Sequence, residues 1–534
     1  MRIQPIDLYA RRNVQMGIKV KYAVKSGEMK AYDEYTINEI GIPSMVLMER
    51  AALCVVYRML EKLGNRPKKV LVASGTGNNG GDGLAVGRLL ALKGHKVVFY
   101  LAGSRDKLTN ETARQVNILE NLGFSIQSKL EDSEYDMVID ALLGIGLSRE
   151  VSGDYADAVD KINQLKDKGA YICGVDISSG ICADTGRVLG CAVRADVTIT
   201  FAFAKRGHLL YPGKEYTGKL IVEDIGISEK VFSLQKPMAF YYEREDIGNL
   251  LPKRAPDGNK STFGKVLLFA GSKDMSGACI LCGNSILRSG AGMVKIITPA
   301  CNREIVQSVL PEAMLQTYVD YPDESKVKQA LEWCDVVVAG PGMGTDENGY
   351  ILMKYVLEER NLPIVIDADG LNLMALHEEL MELVAKRMPG KTIITPHPGE
   401  FNRLSGTDMD VYKKEKEQLI RLLSRKLHCV VAAKDAVTLV AEDEREEIYM
   451  NNSGNEGMAT AGSGDVLAGI IGALLGQGMK AFDAACLSVY LHGVAGELAG
   501  VENGCSAVVA SDIIKKLMQV RKEQQNTTEG RAGI

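Results

Sequence analysis

Short apolar runs alternate with helical stretches from Lys68 almost to the end of the chain, and this rhythm constrains the fold more than any other feature. Val70–Ser74 predicts a first strand, a Gly-rich turn follows, and Gly83–Leu92 predicts a helix. Lys96–Leu101, Met137–Ala141, Tyr171–Ile177, Val197–Phe203 and Leu220–Val222 read as further strands, with helices over Glu111–Leu122 and Tyr155–Asp167. Repeats of this length imply parallel strands, because a parallel neighbour is reached only by a crossover long enough to hold a helix. The segment Gly226–Asp257 breaks the rhythm with Pro237, Pro252 and Pro256 among charges, so a domain boundary is expected near Tyr242. A second series then runs through Val266–Ala270, Val294–Thr298, Val336–Ala339, Ile364–Asp367, Thr392–Thr395 and Cys429–Ala433. A helix is predicted at Cys279–Arg288, and a mostly helical end from Gly464 to about Lys522. The expectation is an α/β chain of two domains, 19–241 and 242–525, each with helices on both faces of a mostly parallel sheet.

At roughly 100–200 residues per domain, 534 residues allow more than one core. The net charge of −5 argues against bulk attraction to nucleic acid or to an anionic membrane, and no apolar run is read as long enough to cross a bilayer. Arg11 and Arg12 are not followed by a secretory apolar stretch, and residues before about Lys19 read as an extension with no assigned role. Eleven scattered Cys, an odd number, fit reduced thiols in a cytoplasm. Cys279 and Cys282 form a CxxC inside an apolar helical stretch with no second ligand pair, so buried thiols are expected there rather than a metal.

In open α/β sheets ligands sit beyond the carboxyl ends of the strands. Three polar groups fall at such ends in the first domain: Asn78-Asn79-Gly80-Gly81-Asp82-Gly83, Asp140 before Gly144-Ile145-Gly146, and Asp176 before Ser178-Ser179-Gly180. Gly75, Gly77 and Gly80 spell GxGxxG after a strand, yet the next strand runs into Ala102-Gly103-Ser104 and not into the acidic residue that would hold a ribose. One such loop is equally well a set of turn-formers. Three at strand ends point to a shared site.

These segments resemble the NAD(P)H-hydrate epimerase domain: Asn78–Gly83 with Leu84-Ala85-Val86-Gly87-Arg88, Val138–Gly144, Asp176–Gly180 and the opening helix Ile42–Ala51. The resemblance covers roughly 22–230 and implies a Rossmann-like three-layer αβα sandwich that interconverts the two epimers of hydrated NADH or NADPH. It implies that Asn79, Asp140 and Ser179 hold a potassium ion, whose preference for hard oxygen ligands they satisfy. It further implies that Asn78, Asn79, Gly80, Gly81 and Asp82, with Gly144, Ile145, Gly146, Leu147, Ser148, Arg149 and Glu150, cradle the substrate beside Tyr155. Asp176 is then the acid/base, a role that suits a carboxylate lifted toward neutrality by burial. Ser178 stands where the family usually has Pro.

In the second domain no GxxxxGK[ST] occurs, which argues against a P-loop. Another phosphate device is present: Ala461-Gly462-Ser463-Gly464-Asp465 opens an apolar helix, Val466–Leu475. A helix N-terminus offers free N–H groups and a positive dipole end, and glycines let these close around a phosphate. A carboxylate in that first turn repels an anion unless it serves the attacking hydroxyl, so Asp465 is placed as a general base. An N-cap is the plainer reading of Ser463 and Asp465.

The surrounding Gly454–Thr460 resembles the ribokinase-like superfamily, and within it the NAD(P)H-hydrate dehydratases. Gly271–Gly292, Gly340-Pro341-Gly342-Met343-Gly344, Ile366–Asn372 and Thr395-Pro396-His397-Pro398-Gly399-Glu400 agree, over roughly 245–520. Glu456 replaces a frequent Pro, and Ala461 and Ser463 replace a second Gly or Thr. The resemblance implies ADP-driven phosphorylation of the (S)-hydrate hydroxyl followed by loss of phosphate, with magnesium on the nucleotide. Asp465 is then catalytic, Gly462 and Gly464 form the anion hole, and Lys434, Asp435, Ala436, Val437 and Thr438 border the nucleotide. Ala278, Gly342, Gly344 and His397 line the hydrate site, while His95, His208, His377, His428 and His492 are structural or on the surface.

The two resemblances together identify the chain as similar to the bifunctional NAD(P)H-hydrate repair enzymes, in the cytoplasm and as a homo-oligomer, with small-molecule substrates and neither nucleic acid nor membrane as partner. The competing reading is a vitamin kinase acting on a hydroxymethylpyrimidine or thiazole alcohol, fused to a non-catalytic interaction module.

Overall fold

The computed structural model describes residues 21–64, 67–130 and 133–531, the side chains of Leu63 and of residues 523–531 excepted. The extension expected before Lys19 lies outside the described residues. The chain divides into two compact units between Ala239 and Phe240, and the short strand Ala239–Tyr241 falls at the division.

The N-terminal unit opens with β1 (Lys21–Val24), α1 (Ser26–Asn38) and α2 (Ser44–Leu63), and then enters the strand–helix rhythm. The strands are β2 (Lys69–Ser74), β3 (Lys96–Leu101), β4 (Ile126–Gln127), β5 (Met137–Ala141), β6 (Tyr171–Val175), β7 (Val197–Phe201), β8 (Ala204–Lys205) and β9 (Lys219–Glu223). Between them come α3 (Asn78–Leu92), α4 (Asn110–Asn121) and α5 (Asp154–Asp167). Seven strands form one sheet in the order β4-β3-β2-β5-β6-β7-β9, parallel throughout. Strand order reverses between β2 and β5, which opens a crevice at their carboxyl ends. Alternation along each strand fills two cores. Val70 and Val72 face a cluster with Leu84, Leu90, Phe99 and Val116, while Leu71 and Ala73 face another with Val159 and Ile162. β8 pairs separately with β1, bringing Val24 beside Lys205.

The Gly-rich segment Asn78–Gly83, expected as a turn, is the first turn and a half of α3. Its glycines serve close packing: a Cβ on Gly83 would stand 2.4 Å from the Ala141 Cβ on β5. The helix therefore runs against the sheet at its N-terminal end and presents Asn79 and Asp82 at the strand ends.

Beyond the strand Ala239–Tyr241, the described residues of the C-terminal unit form β10 (Lys265–Phe269), β11 (Met293–Pro299), β12 (Met314–Tyr318), β13 (Val336–Ala339), β14 (Ile364–Ile366), β15 (Thr392–Ile394), β16 (Val430–Ala433), β17 (Leu439–Ala441) and β18 (Ile448–Met450). Their order is β12-β11-β10-β13-β14-β15-β16-β17-β18. The first seven are parallel and the last two add an antiparallel hairpin that the sequence reading missed. Helices α6 (Ser276–Arg288), α7 (Asp369–Leu376), α8 (Pro398–Ser405) and α9 (Met409–Leu427) connect them, and α10 (Ser463–Gly476), α11 (Ala481–Asn503) and α12 (Ala510–Arg531) complete the unit. Gly472 brings α10 onto the sheet, where a Cβ would lie 2.3 Å from Val338.

Two sequence expectations are settled by burial. Cys279 and Cys282 are fully buried free thiols. The expectation that no stretch is long enough to span a bilayer is corrected: α11 is long and apolar enough, but 83% of its most apolar window is buried inside the protein, so it is a core helix.

Candidate functional site

In the N-terminal unit hydrogen bonds join the segments that follow β2, β5 and β6. Asp140, the fourth residue of β5, is fully buried, as is Ser179. The Ser179 N–H donates to Asp140 Oδ2 at 2.9 Å and its hydroxyl to Oδ1 at 2.6 Å. Ser179 Oγ accepts the Leu143 N–H at 2.9 Å. Asn79 Nδ2 donates to the Leu143 carbonyl at 3.2 Å, which leaves Asn79 Oδ1 buried without a hydrogen-bond partner. A buried acceptor with nothing to accept costs about 1–3 kcal/mol. A cation among these amide, carboxylate and hydroxyl oxygens removes that cost, and burial pushes the Asp140 carboxyl up to about 6, a penalty that a positive charge also offsets. The donor set is hard and fits an alkali ion.

Asp176 follows β6 in the left-handed region, φ +63°, a conformation that few residues other than Gly adopt and that clusters at functional sites. Its Oδ1 accepts from Lys205 Nζ at 2.5 Å, Thr200 Oγ1 at 2.9 Å and the Phe201 N–H at 3.3 Å. Burial works to raise its pKa, but the Lys205 charge and hydrogen bond outweigh burial and hold it below the ordinary value. The expectation of an Asp176 lifted toward neutrality is thus corrected, because Lys205 was not foreseen. The lifted carboxyls are its neighbours. Burial, then Asp176 and Asp33, push Asp82 well above the usual range, and burial pushes Asp33 up to about 7.

Tyr155 Oη stands 3.3 Å from both the Thr76 N–H and Thr76 Oγ1, beside the start of the first loop. Gly144 packs on Asn79, where a Cβ would lie 2.9 Å from the Asn79 Cβ. Ile145 turns inward onto the cluster of Val24 and Tyr32, and Leu147 joins the core behind β5. Gly146, Ser148, Arg149 and Glu150 are exposed and form a rim rather than a packed wall.

In the C-terminal unit three neighbouring strands each end in a site residue: Asp367 after β14, Thr395 after β15 and Lys434 after β16. Thr395 Oγ1 donates to Asp367 Oδ1 at 2.7 Å, and Lys434 Nζ to the same oxygen at 2.5 Å. Glu400, nearly buried, lies 3.9 Å from Lys434. Burial lowers the Lys434 ammonium, yet Asp367 and Glu400 outweigh it and hold the lysine above its ordinary value.

Facing this cluster is the N-terminus of α10. Gly462 caps it with φ +85°, and the first intrahelical bond is from the Val466 N–H to the Gly462 carbonyl. The N–H groups of Gly464 and Asp465 precede that bond. A Cβ on Gly464 would stand 3.2 Å from Lys434 Nζ and 3.5 Å from Asp367 Oδ2, so lysine and glycine border one small space. Burial pushes the Asp465 carboxyl up to about 7, with Asp367 adding to the rise and Lys434 opposing it. Asp465 takes part in no ion pair among the described residues, and its Oδ2 lies 3.9 Å from where a Cβ on Gly462 would stand.

The other candidates divide. Gly342, φ +58°, lies against Ala278, and the Gly344 N–H donates to Asp369 Oδ2 at 2.9 Å. His397 is the N-cap of α8, its Nδ1 accepting the Gly399 N–H at 3.0 Å, and its side chain is half exposed. Asp435 is drawn to Lys416 at 2.9 Å, Ala436 is exposed, and Val437 and Thr438 are buried. Ser463 Oγ lies 3.2 Å from Nε2 of the buried His492. Lys205, Asp33, Asp367 and Glu400 were not assigned from the sequence. Asp367 and Glu400 stand in segments already singled out there, whereas a lysine and an aspartate far apart in the chain carry no local signal.

Residues 266–519 match the family described as NAD(P)H-hydrate dehydratase, and residues 44–207 the one described as YjeF-related protein N-terminus. The chain is 35% identical over 523 residues to the bifunctional NAD(P)H-hydrate repair enzyme Nnr of Thermofilum pendens, covering 94% of this chain and 97% of that protein. It is 37% identical over 481 residues to the protein of the same name from Coxiella burnetii, covering 90% and 95%. Among solved structures, an ADP/ATP-dependent NAD(P)H-hydrate dehydratase from Bacillus subtilis co-crystallised with ATP and magnesium is 29% identical with a TM-score of 0.47, covering 53% of this chain and 98% of that one.

Proposed function

This chain belongs to the bifunctional NAD(P)H-hydrate repair enzymes, and we propose that it restores hydrated NADH and NADPH in two reactions, one in each unit. Residues 19–241 interconvert the (R)- and (S)-hydrates. Residues 242–525 pass a phosphoryl group from ADP to the hydroxyl of the (S)-hydrate and then expel phosphate, leaving AMP and the reduced cofactor. The chain works in the cytoplasm as a homo-oligomer.

The observation that carries this reading is the Asp465 carboxyl, pushed up to about 7 in the first turn of α10 and facing Lys434 across Gly464. A base of that strength takes the hydroxyl proton near neutrality as phosphorus approaches. The N–H groups at the helix start and the Lys434 ammonium then stabilise the charge on the transferred phosphoryl oxygens. Magnesium, carried on the nucleotide phosphates, supplies further charge neutralisation there. Phosphate departs far more readily than hydroxide, and the ring nitrogen supplies the electron pair that re-forms the double bond.

In the N-terminal unit Asn79 Oδ1, Asp140 and Ser179 are the residues that would hold potassium, which supplies a fixed positive charge beside the substrate loop. Asn78–Asp82 and Gly144–Glu150 frame the hydrate, with Asp176 as the proton-transfer group. The test is to supply both hydrate epimers with ADP and follow reduced-nicotinamide absorbance. Complete recovery is expected, against recovery of the (S) portion alone when the first unit is inactive. Accumulation of a stable phosphorylated product, with no regained absorbance, would sink the reading in favour of a vitamin kinase.

A further inference from the structure

Lys205 ends β8 with its side chain 1% exposed. Its ammonium donates to Asp176 Oδ1 at 2.5 Å, Thr200 Oγ1 at 2.8 Å and the Phe201 carbonyl at 3.3 Å. An ammonium has three donors, so its position is fully specified. Thr200 passes its own proton on to the same Asp176 oxygen at 2.9 Å, and the Phe201 N–H adds a third donor to it. The carboxylate is therefore asymmetric: Oδ1 is saturated, and Oδ2 receives none of these donors.

We propose that Lys205 is a positioning residue for epimerisation: it ties down Oδ1 of Asp176 as an ion pair and leaves Oδ2 to take the proton of the water that returns to the hydrated ring carbon. This rests on the epimerase reading of the N-terminal unit. In the departing half-reaction the ring C–O bond breaks and its electron pair leaves on oxygen. The nitrogen lone pair becomes a C=N⁺ bond, and one proton turns the leaving hydroxide into water. In the return half-reaction water adds to the other face of that carbon, the C=N⁺ pair goes back to nitrogen, and the surplus proton passes to Asp176 Oδ2. The first proton comes from a neutral carboxyl. Asp82 on α3 suits that part, because burial and the neighbouring Asp176 and Asp33 push its carboxyl well above the usual range. Return of the proton from Asp176 to Asp82 resets the site, so no outside acid is consumed.

The other groups facing Asp176 do not substitute for Lys205. Asp33 on α1 is itself a carboxyl pushed up to about 7, and Glu34 beside it is a further acid. His208 is buried, its Nδ1 accepts the Lys205 N–H at 3.0 Å, and burial followed by the Lys205 charge lowers its pKa to about 3, so it is neutral in the working range. With Lys205 removed, burial acts on Asp176 against only the smaller lowering effects of His208 and of the Thr200 hydrogen bond.

The experiment is Lys205→Met in the full chain. Conversion of the (S)-hydrate with ADP, which needs no epimerase, is expected to be unchanged. Conversion of the (R)-hydrate is expected to fall with the acid limb of its pH profile moved up by about one unit or more, so that the deficit below the wild-type inflection exceeds that on the plateau about tenfold. Lys205→Arg, which keeps the charge, moves the limb less, and Thr200→Val, which removes a neutral donor, moves it the same way by less. A Lys205→Met enzyme that keeps the wild-type profile, whatever its absolute rate, overturns the proposal. If that variant has no epimerase activity at any pH, the Thr200→Val profile decides: an unmoved limb there overturns it equally. Failure of the wild type to consume the (R)-hydrate is a different result, and rejects the epimerase reading itself.

Discussion

The protonation of Asp465 makes the nucleotide-dependent reaction pH-sensitive in a calculable way. Burial pushes its pKa up to about 7, and the base is active only when ionised. Roughly one carboxyl in ten is then ionised at pH 6 and about nine in ten at pH 8. With the (S)-hydrate and ADP saturating, the rate of regained absorbance should rise about tenfold between those values and level off above. Asp465→Asn removes the base but keeps the shape, and should lower the rate by about 10²–10⁴-fold, the usual contribution of a general base, and flatten the profile. Asp367→Asn is the sharper probe. Asp367 raises the Asp465 pKa, so its removal should slide the inflection downward, provided that Lys434 remains paired with Glu400. A wild-type rate that is flat from pH 5.5 to 8.5, or an inflection near the value of an ordinary aspartate, would refute the claim that a buried carboxyl at this helix end removes the proton.

Two further outcomes test the N-terminal unit. Ser179→Ala strands the Leu143 N–H and removes the shorter of two hydrogen bonds to Asp140 Oδ1, so it should lower stability in chemical denaturation by about 1–3 kcal/mol and abolish (R)-hydrate consumption, while (S)-hydrate conversion persists; replacing potassium by a bulky organic cation should reproduce the activity loss in the wild type. Gly83→Ala sets a methyl 2.4 Å from Ala141, and about 1–3 kcal/mol of destabilisation is expected, with a null result showing that α3 can tilt away from the sheet.

Much of the architecture was readable because its cause is local. Apolar runs such as Met137–Ala141 and Val336–Ala339 were placed to the residue, since each is a buried strand closed by a turn. The hairpin Leu439–Ala441 and Ile448–Met450 was not, because three-residue strands among charges carry too little periodicity. The helix start at Asn78 was displaced by five residues for a different reason: glycine reads as a turn former, and only the approach of α3 to β5 shows why it is helical. At the sites, Asp465 and the Asn79, Asp140 and Ser179 group were visible as polar residues at strand or helix ends. What sequence could not give is the charge state of Asp176, which depends on Lys205, a residue brought in by the pairing of two-residue β8 with β1.

The order in which the chain supplies the C-terminal unit has a consequence for its synthesis. The strands β10–β18 leave the ribosome before α10, α11 and α12, which cover them. At roughly 5–20 residues per second, the segment from Ser463 onward takes several seconds to appear. During that interval Val266 and Val338 lack the helix that shields them, and the 23-residue apolar α11 then emerges bare before it can dock. A nascent chain in this state exposes a long apolar helix with nothing packed on it, so truncation inside α11 should yield aggregates rather than a smaller folded unit.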